Sequence, residues 1–390
     1  MPLIDRIEIH EVSWEARGLS MDSSKFNIVC APGESLTLTK FVTVVFADDG
    51  SRGEYLANWG GTKTSLAQVV ALAPHLIGRD ALARELIYDD FKRAHRHLDR
   101  MGVGLIDITL WDLAGKRSGQ SVSEMLGGYR KSLPAYASTY HGDRNGVLSS
   151  PEAYADFAAQ CFELGYRAFK MHGWTEGDAA EEEATIRMLG KRVGDRMTLM
   201  LDPASEFRTF ADALRIGRAC DDANFLWYED PMRDGGVSQH LHRKLREFLR
   251  TPLLIGEHTR GLEAKADLIK ADGTDFVRSD PEYDMGITGA MKIAHLGEAF
   301  GLDVEVHASG PAHRHCMSAM RNSNYYELAL VGPGKSPNGL APAYADGYSD
   351  VLEGVDKTGG FPVPTGPGLG VTYDWDWIAR HRIAEHVFST

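Results

Sequence analysis

Polar and apolar positions alternate along three short runs near the start of the chain, Ile4 to Val12, Phe41 to Phe46 and Arg52 to Leu56, with turn-rich segments between them. A period of two in β-branched residues predicts a half-buried antiparallel meander. Between Thr62 and Gly119 the period lengthens. Leu105, Ile106, Ile108, Leu110, Leu113 and Ala114 fall at helical spacing, and Gly115 and Gly119 offer places to stop. Residues 1–128 therefore predict an α+β unit, a small sheet followed by helices.

From Leu133 the pattern changes again. Short strand-like runs alternate with helical segments, and each run closes on a polar residue: Tyr140, His172, Asp202, Glu229, Glu257, Asp280, His307 and Glu327. Successive intervals are 32, 30, 27, 28, 23, 27 and 20 residues. Each except the last has ample room for a strand, a crossover helix and two loops. Eight strands at this beat predict an α/β unit, a (β/α)8 barrel over residues 129–340 with a modified last unit. A doubly wound sheet is the alternative, but it gives less reason for seven consecutive strand ends to be ionisable. Residues 341–390, rich in Gly and Pro, predict a loop-rich return to the first domain; the Gly366-x-Gly368-x-Gly370 stretch lacks the spacing and following helix of a dinucleotide site.

Composition narrows the function. A formal charge of −13 over 390 residues removes the electrostatic case for nucleic-acid binding. Cys30, Cys161, Cys220 and Cys316 lie far apart, as expected of buried free thiols in a reducing compartment. The first residues show no basic segment ahead of an apolar one, and the longest apolar stretch is too short to span a bilayer. A cytoplasmic protein without membrane partners is expected. P-loop, HExxH and GxSxG patterns are all absent from the sequence.

Asp202, Glu229 and Glu257 close three consecutive strands, in Leu201-Asp202-Pro203, Tyr228-Glu229-Asp230-Pro231 and Gly256-Glu257-His258. Converging on one point, three carboxylates repel strongly unless a cation lies between them. All-oxygen ligation favours Mg²⁺, or Mn²⁺, over zinc. Lys170 and His172 share one strand face, so both point into the barrel mouth; a lysine there, beside a cation, is expected to have a lowered pKa. The plain alternative is a snorkelling Lys and a hydrogen-bonded core His. Asp280 and His307, at the sixth and seventh strand ends, form a candidate dyad in which the carboxylate fixes the tautomer. Glu327 reads equally as a protonated acid facing a substrate carboxylate or as an ordinary surface residue.

With these residues in place the chain resembles the enolase superfamily, and within it the mandelate racemase subgroup. The likeness covers almost the whole length, including Leu105 to Gly119 (LIDITLWDLAGKRSG) and Met125-Leu126-Gly127-Gly128. It implies an α+β capping domain on a modified barrel, Asp202, Glu229 and Glu257 as Mg²⁺ ligands, and Lys170, His172, Asp280, His307 and Glu327 as catalytic residues around a small hydroxy-carboxylate. A homo-oligomer is also implied. Subgroup members commonly carry K-x-K on the second strand, so His172 is a departure: a lysine base there does not carry over. The shared first step implied is removal of an α-proton, with the metal stabilising an enediolate. Dehydration of a sugar acid (aldonate or aldarate) to a 2-keto-3-deoxy acid is the preferred outcome. The polar Trp14 to Asn27 segment, read as a mobile lid containing Arg17, suits a polyhydroxylated substrate. His258, Tyr140 and Trp59 are further candidate substrate contacts. Racemisation, epimerisation or cycloisomerisation is the alternative, and a non-catalytic binding protein on the same scaffold is the alternative from another class.

Overall fold

The computed structural model describes residues 1–334 and 340–390. The chain opens with β1 (Ile4–Met21), β2 (Ile28–Ala47) and β3 (Arg52–Leu56), all antiparallel. Three helices follow: α1 (Lys63–Leu72), α2 (Arg84–Ala94) and α3 (Met101–Ser118). Gly119 ends α3 in a left-handed conformation, at φ 70°. Within α3, Asp107 bonds Thr288 of the barrel, and Asp112 accepts from the Glu54 and Leu369 backbone amides. The helix thus ties cap, barrel and tail together.

Eight parallel strands then form one curled sheet: β4 (Ser132–Thr139), β5 (Ala168–His172), β6 (Thr198–Asp202), β7 (Trp227–Glu229), β8 (Leu253–Ile255), β9 (Phe276–Ser279), β10 (Val304–Val306) and β11 (Tyr326–Val331). Their order is β10-β9-β8-β7-β6-β5-β4-β11. Side chains close the seam between β10 and β11: the Ala308 amide donates to Glu327, Ser309 Oγ to the Ala329 carbonyl, and the Asn324 amide to Glu305. A nine-residue helix, Pro311–Ala319, fills the last crossover, and β10 and β11 are not hydrogen-bonded neighbours in the sheet, which makes this the modified unit. The architecture is a capping α+β sheet on a modified (β/α)8 barrel.

Three expectations need correcting. Trp14 to Asn27 is no loop, because β1 runs on to Met21 and β2 starts at Ile28, so the segment is the far end of a long hairpin. A register shift between Arg17 and Leu19, at left-handed Gly18, lets the hairpin bend. At its tip the Asp22 carboxylate accepts from Ser24 Oγ, the Asn27 side chain and the Phe26 amide, so it organises the turn instead of facing outward. Glu327 is the second residue of β11, not its end. The tail is more regular than a loop: β12 (Gly360–Pro362) pairs with β4, and β13 (Arg382–Ser389) pairs antiparallel with β1. All four cysteines are buried, and Cys161, Cys220 and Cys316 are free thiols. No helix among the described residues is long and apolar enough to cross a membrane.

Glu305, at the foot of β10, has no exposed surface. Burial pushes its pKa up to about 7, against the opposing bonds from Asn324. A raised carboxyl stabilises the fold fully below its unfolded pKa, and that contribution disappears as pH rises through the folded value. Between pH 4.5 and 7 the loss amounts to about 3 kcal/mol. Glu305→Gln is expected to flatten this part of the stability profile, measured as urea midpoints across the pH range; an unchanged slope would contradict the assignment.

Candidate active site

Residues two apart on a strand share a face, so the inside of the barrel is built in layers. The floor is apolar: Tyr136, Ala168, Met200, Trp227 and Leu254 are fully buried. On four strands the lining two residues farther along becomes ionic, with Lys170 beyond Ala168, Glu229 beyond Trp227, Arg278 beyond Phe276 and Glu327 beyond Tyr325. Lys170 Nζ lies 2.9 Å from Glu229 and 2.8 Å from Glu327, with Asp202 at 3.3 Å. Arg278 Nε lies 2.7 Å from Glu229, and its Nη2 is 2.7 Å from Glu327 and donates to Tyr136 Oη at 3.0 Å. Two cations and two carboxylates thus alternate where neither pair could stand alone out of water.

This arrangement overturns one expectation and bears on another. Burial disfavours charge on Lys170, yet without a divalent cation beside it Glu229 and Glu327 outweigh burial and hold the ammonium well above its ordinary pKa. Glu327 is not a surface residue: it is 1% exposed, and despite burial Lys170 and Arg278 hold it well below the usual carboxylate range. Arg278 went unnoticed in the sequence. Its signal was the Arg278-x-Asp280 spacing, the same one-face rule that singled out Lys170-x-His172.

At the upper edge of the ionic layer, Asp202, Glu229 and Glu257 each bring a carboxylate oxygen within 4.8 Å of the other two. Asp202 takes one backbone donor, Ala204, at 2.7 Å. The set is all oxygen and all anionic, which fits a hard divalent cation such as Mg²⁺. Glu257 stands two residues past β8 and Asp280 one past β9, on turns braced from beneath. Lys265, almost fully buried, donates to the Gly256 carbonyl and pairs with Asp284 at 2.8 Å, and Asp284 in turn accepts from the Asp280 amide.

The two histidines are backed differently. His172 Nδ1 donates to the Thr139 carbonyl at 2.6 Å, since a carbonyl can only accept. That fixes Nε2 as the working nitrogen, 3.2 Å from Asp202 Oδ2. His307 Nδ1 instead donates to the Asp280 carboxylate at 2.7 Å, with Nε2 3.6 Å from Glu257. Burial disfavours the imidazolium, but Glu257 and Asp280 prevail and push His307 up to about 9 without a cation present. His313 Nε2, 3.3 Å from the other Asp280 oxygen, steadies the dyad from behind. His141 packs its ring 5.0 Å from that of His172. Neither His141 nor His313 belongs to a motif readable in the sequence.

The remaining candidates are spread out. Trp59 donates from its indole to the Ser309 carbonyl at 3.2 Å, bringing the cap beside the His307 strand end. His258 is part-exposed, its Nε2 3.9 Å from Glu257. Tyr140 has no exposed surface. Arg17 lines a cavity of about 640 Å³ with Trp14, Tyr344, Tyr348 and Asp350. Among the described residues Arg17 makes no hydrogen bond or ion pair with the histidines or the three carboxylates. The hairpin does reach the barrel loops, where Asn27 donates to Glu206 and the Val147 amide to the Cys30 carbonyl.

Comparison with known proteins agrees with this geometry. Residues 30–127 match the N-terminal domain of the mandelate racemase / muconate lactonizing enzyme family, and residues 153–377 match the enolase C-terminal domain-like family. An L-talarate/galactarate dehydratase of Salmonella typhimurium is 26% identical, the alignment covering 81% of this chain and 79% of the relative. A D-galactarolactone cycloisomerase of Agrobacterium fabrum is 27% identical over 87% of this chain and 90% of its own. A solved D-glucarate dehydratase from Agrobacterium tumefaciens, complexed with magnesium, superposes with a TM-score of 0.83 at 28% identity, over 98% of this chain and 99% of that one. The chain belongs to the enolase superfamily, in its mandelate racemase subgroup.

Proposed function

We propose that the protein is a Mg²⁺-dependent dehydratase of a sugar acid, an aldonate or aldarate, and that its chemistry lies in residues 129–340 beneath a cap formed by residues 1–128 and the returning segment 341–390. The unequal backing of the two histidines carries this reading. A carbonyl on Nδ1 leaves Nε2 as the nitrogen that His172 turns to the site, whereas a carboxylate on Nδ1 favours the protonated form of His307. One face of a bound acid therefore meets a base and the other an acid.

His172 Nε2 takes the α-proton, and negative charge develops on the substrate carboxylate. Mg²⁺ held by Asp202, Glu229 and Glu257 would neutralise that charge. Lys170, kept cationic by its two carboxylates, adds positive potential from beneath, and Glu327 and Arg278 hold Lys170 in place. His307 gives its Nε2 proton to the departing β-hydroxyl, which leaves as water, and the resulting enol tautomerises to the 2-keto-3-deoxy acid. Asp280 stabilises His307 before the transfer and orients it throughout. Trp59 and His258 stand at the rim as substrate contacts. The sugar-acid dehydratases among the relatives, and magnesium in the D-glucarate dehydratase structure, support the substrate class and the cation.

The cycloisomerase relative favours a second reading, in which the same proton transfers interconvert isomers without loss of water. Incubation with a library of aldonic and aldaric acids separates the two. A semicarbazide-reactive keto product from at least one acid is expected. Exchange of the α-proton with D₂O and no keto product would favour the isomerase reading, and no turnover by metal-loaded protein would count against both.

A further inference from the structure

Asp230 follows Glu229 directly, yet it is used by none of the contacts described above. It is 1% exposed, and neither of its carboxylate oxygens has a hydrogen-bond partner. A buried carboxylate left this way is costly unless it is protonated or holds a cation. One of its oxygens lies within 4.8 Å of ligand atoms on Glu257 and His258, which themselves are equally close to each other. The turn opposite packs closely against this cluster. A Cβ on Gly236, at φ +75°, would stand 2.9 Å from Asp230 Oδ1, and one on Gly235, at φ +67°, would stand 3.4 Å from His258 Cβ. Both glycines take conformations that other residues adopt only with strain. The His258 side chain is 38% exposed, which opens a path from solvent.

We propose that Asp230, Glu257 and His258 form a second divalent-cation site, sharing Glu257 with the Asp202, Glu229 and Glu257 set and selecting a transition metal such as Mn²⁺ or Zn²⁺ over Mg²⁺. Glu257 has two oxygens and can serve both positions. An imidazole in place of a third carboxylate moves the preference toward borderline metals, whereas the all-oxygen set accepts Mg²⁺. A single dication among Asp202, Glu229 and Glu257 leaves Asp230 uncompensated, and the second ion supplies the missing positive charge.

The test counts metal and does not read catalysis, so an inactive acid library leaves it intact. Chelator-stripped full-length protein is dialysed to equilibrium against Mn²⁺ or Mg²⁺ and its bound metal measured by mass spectrometry. Two Mn²⁺ but one Mg²⁺ per protomer are expected for the wild type. Asp230→Asn and His258→Gln should each bind one Mn²⁺, with the Mg²⁺ count unchanged. Because His258 is part-exposed, its variant reports on the site even if Asp230→Asn folds poorly. One Mn²⁺ per protomer in the wild type, or two retained in either variant, would overturn the proposal.

Discussion

His307→Asn is expected to lower formation of the keto product by about 10²- to 10⁴-fold, the usual contribution of a positioned acid or base, while exchange of the substrate α-proton with solvent persists. An asparagine amide can still donate to Asp280, so the loop keeps its hydrogen bond, but it has no proton to give a leaving hydroxyl. In the proposed mechanism exchange depends on His172, whose Nδ1 is held by the Thr139 carbonyl. The two rates are read from one sample, keto acid by semicarbazide and exchange by the C2 proton signal in D₂O. Loss of both to the same degree would mean that His307 is the base and that the roles are reversed.

Arg278→Met is expected to destabilise the metal-free protein by about 3–5 kcal/mol, the typical result of removing one partner from a buried ionic group. Arg278 is fully buried and pairs with both Glu229 and Glu327, so its loss leaves Lys170 as the remaining cation of the ring. Methionine fills much of the volume, which isolates charge from packing. Adding Glu327→Gln to Arg278→Met should recover part of the loss, because it removes the carboxylate left uncompensated. Urea denaturation in the presence of chelator measures both effects. Additive losses in the double variant would show that the ring is not a coupled unit.

The carboxylates and histidines of the mouth were legible because polar residues closing short apolar runs have a simple cause in a barrel: the strand must be apolar where it packs and can be polar where it opens to the loops. Asp202 and Glu229 end their strands, and Glu257, Asp280 and His307 stand one or two residues beyond theirs. The same rule misplaced Glu327. It interrupts the apolar run Tyr326–Val331 near its start, because its partners Lys170 and Arg278 come from strands distant in sequence. Arg278 was legible by the one-face spacing but reads alone as an ordinary surface cation. The hairpin beyond Val12 was hidden for a different reason: Trp14 and Ala16 alternate with Glu15 and Arg17, but the shift at Gly18 puts Leu19 and Met21 out of step with them, and pairing with β2 joins the two fragments into one strand.

The most direct test of proton abstraction by this centre is the ¹H NMR signal of the C2 proton of each acid in the library, followed in D₂O with the wild-type protein in Mg²⁺ and again after chelation. The account predicts that for at least one aldonate or aldarate the signal is lost as a 2-keto-3-deoxy acid accumulates, and that chelation stops both. A C2 proton untouched by Mg²⁺-loaded protein in every acid, or lost equally after the metal is removed, would contradict it.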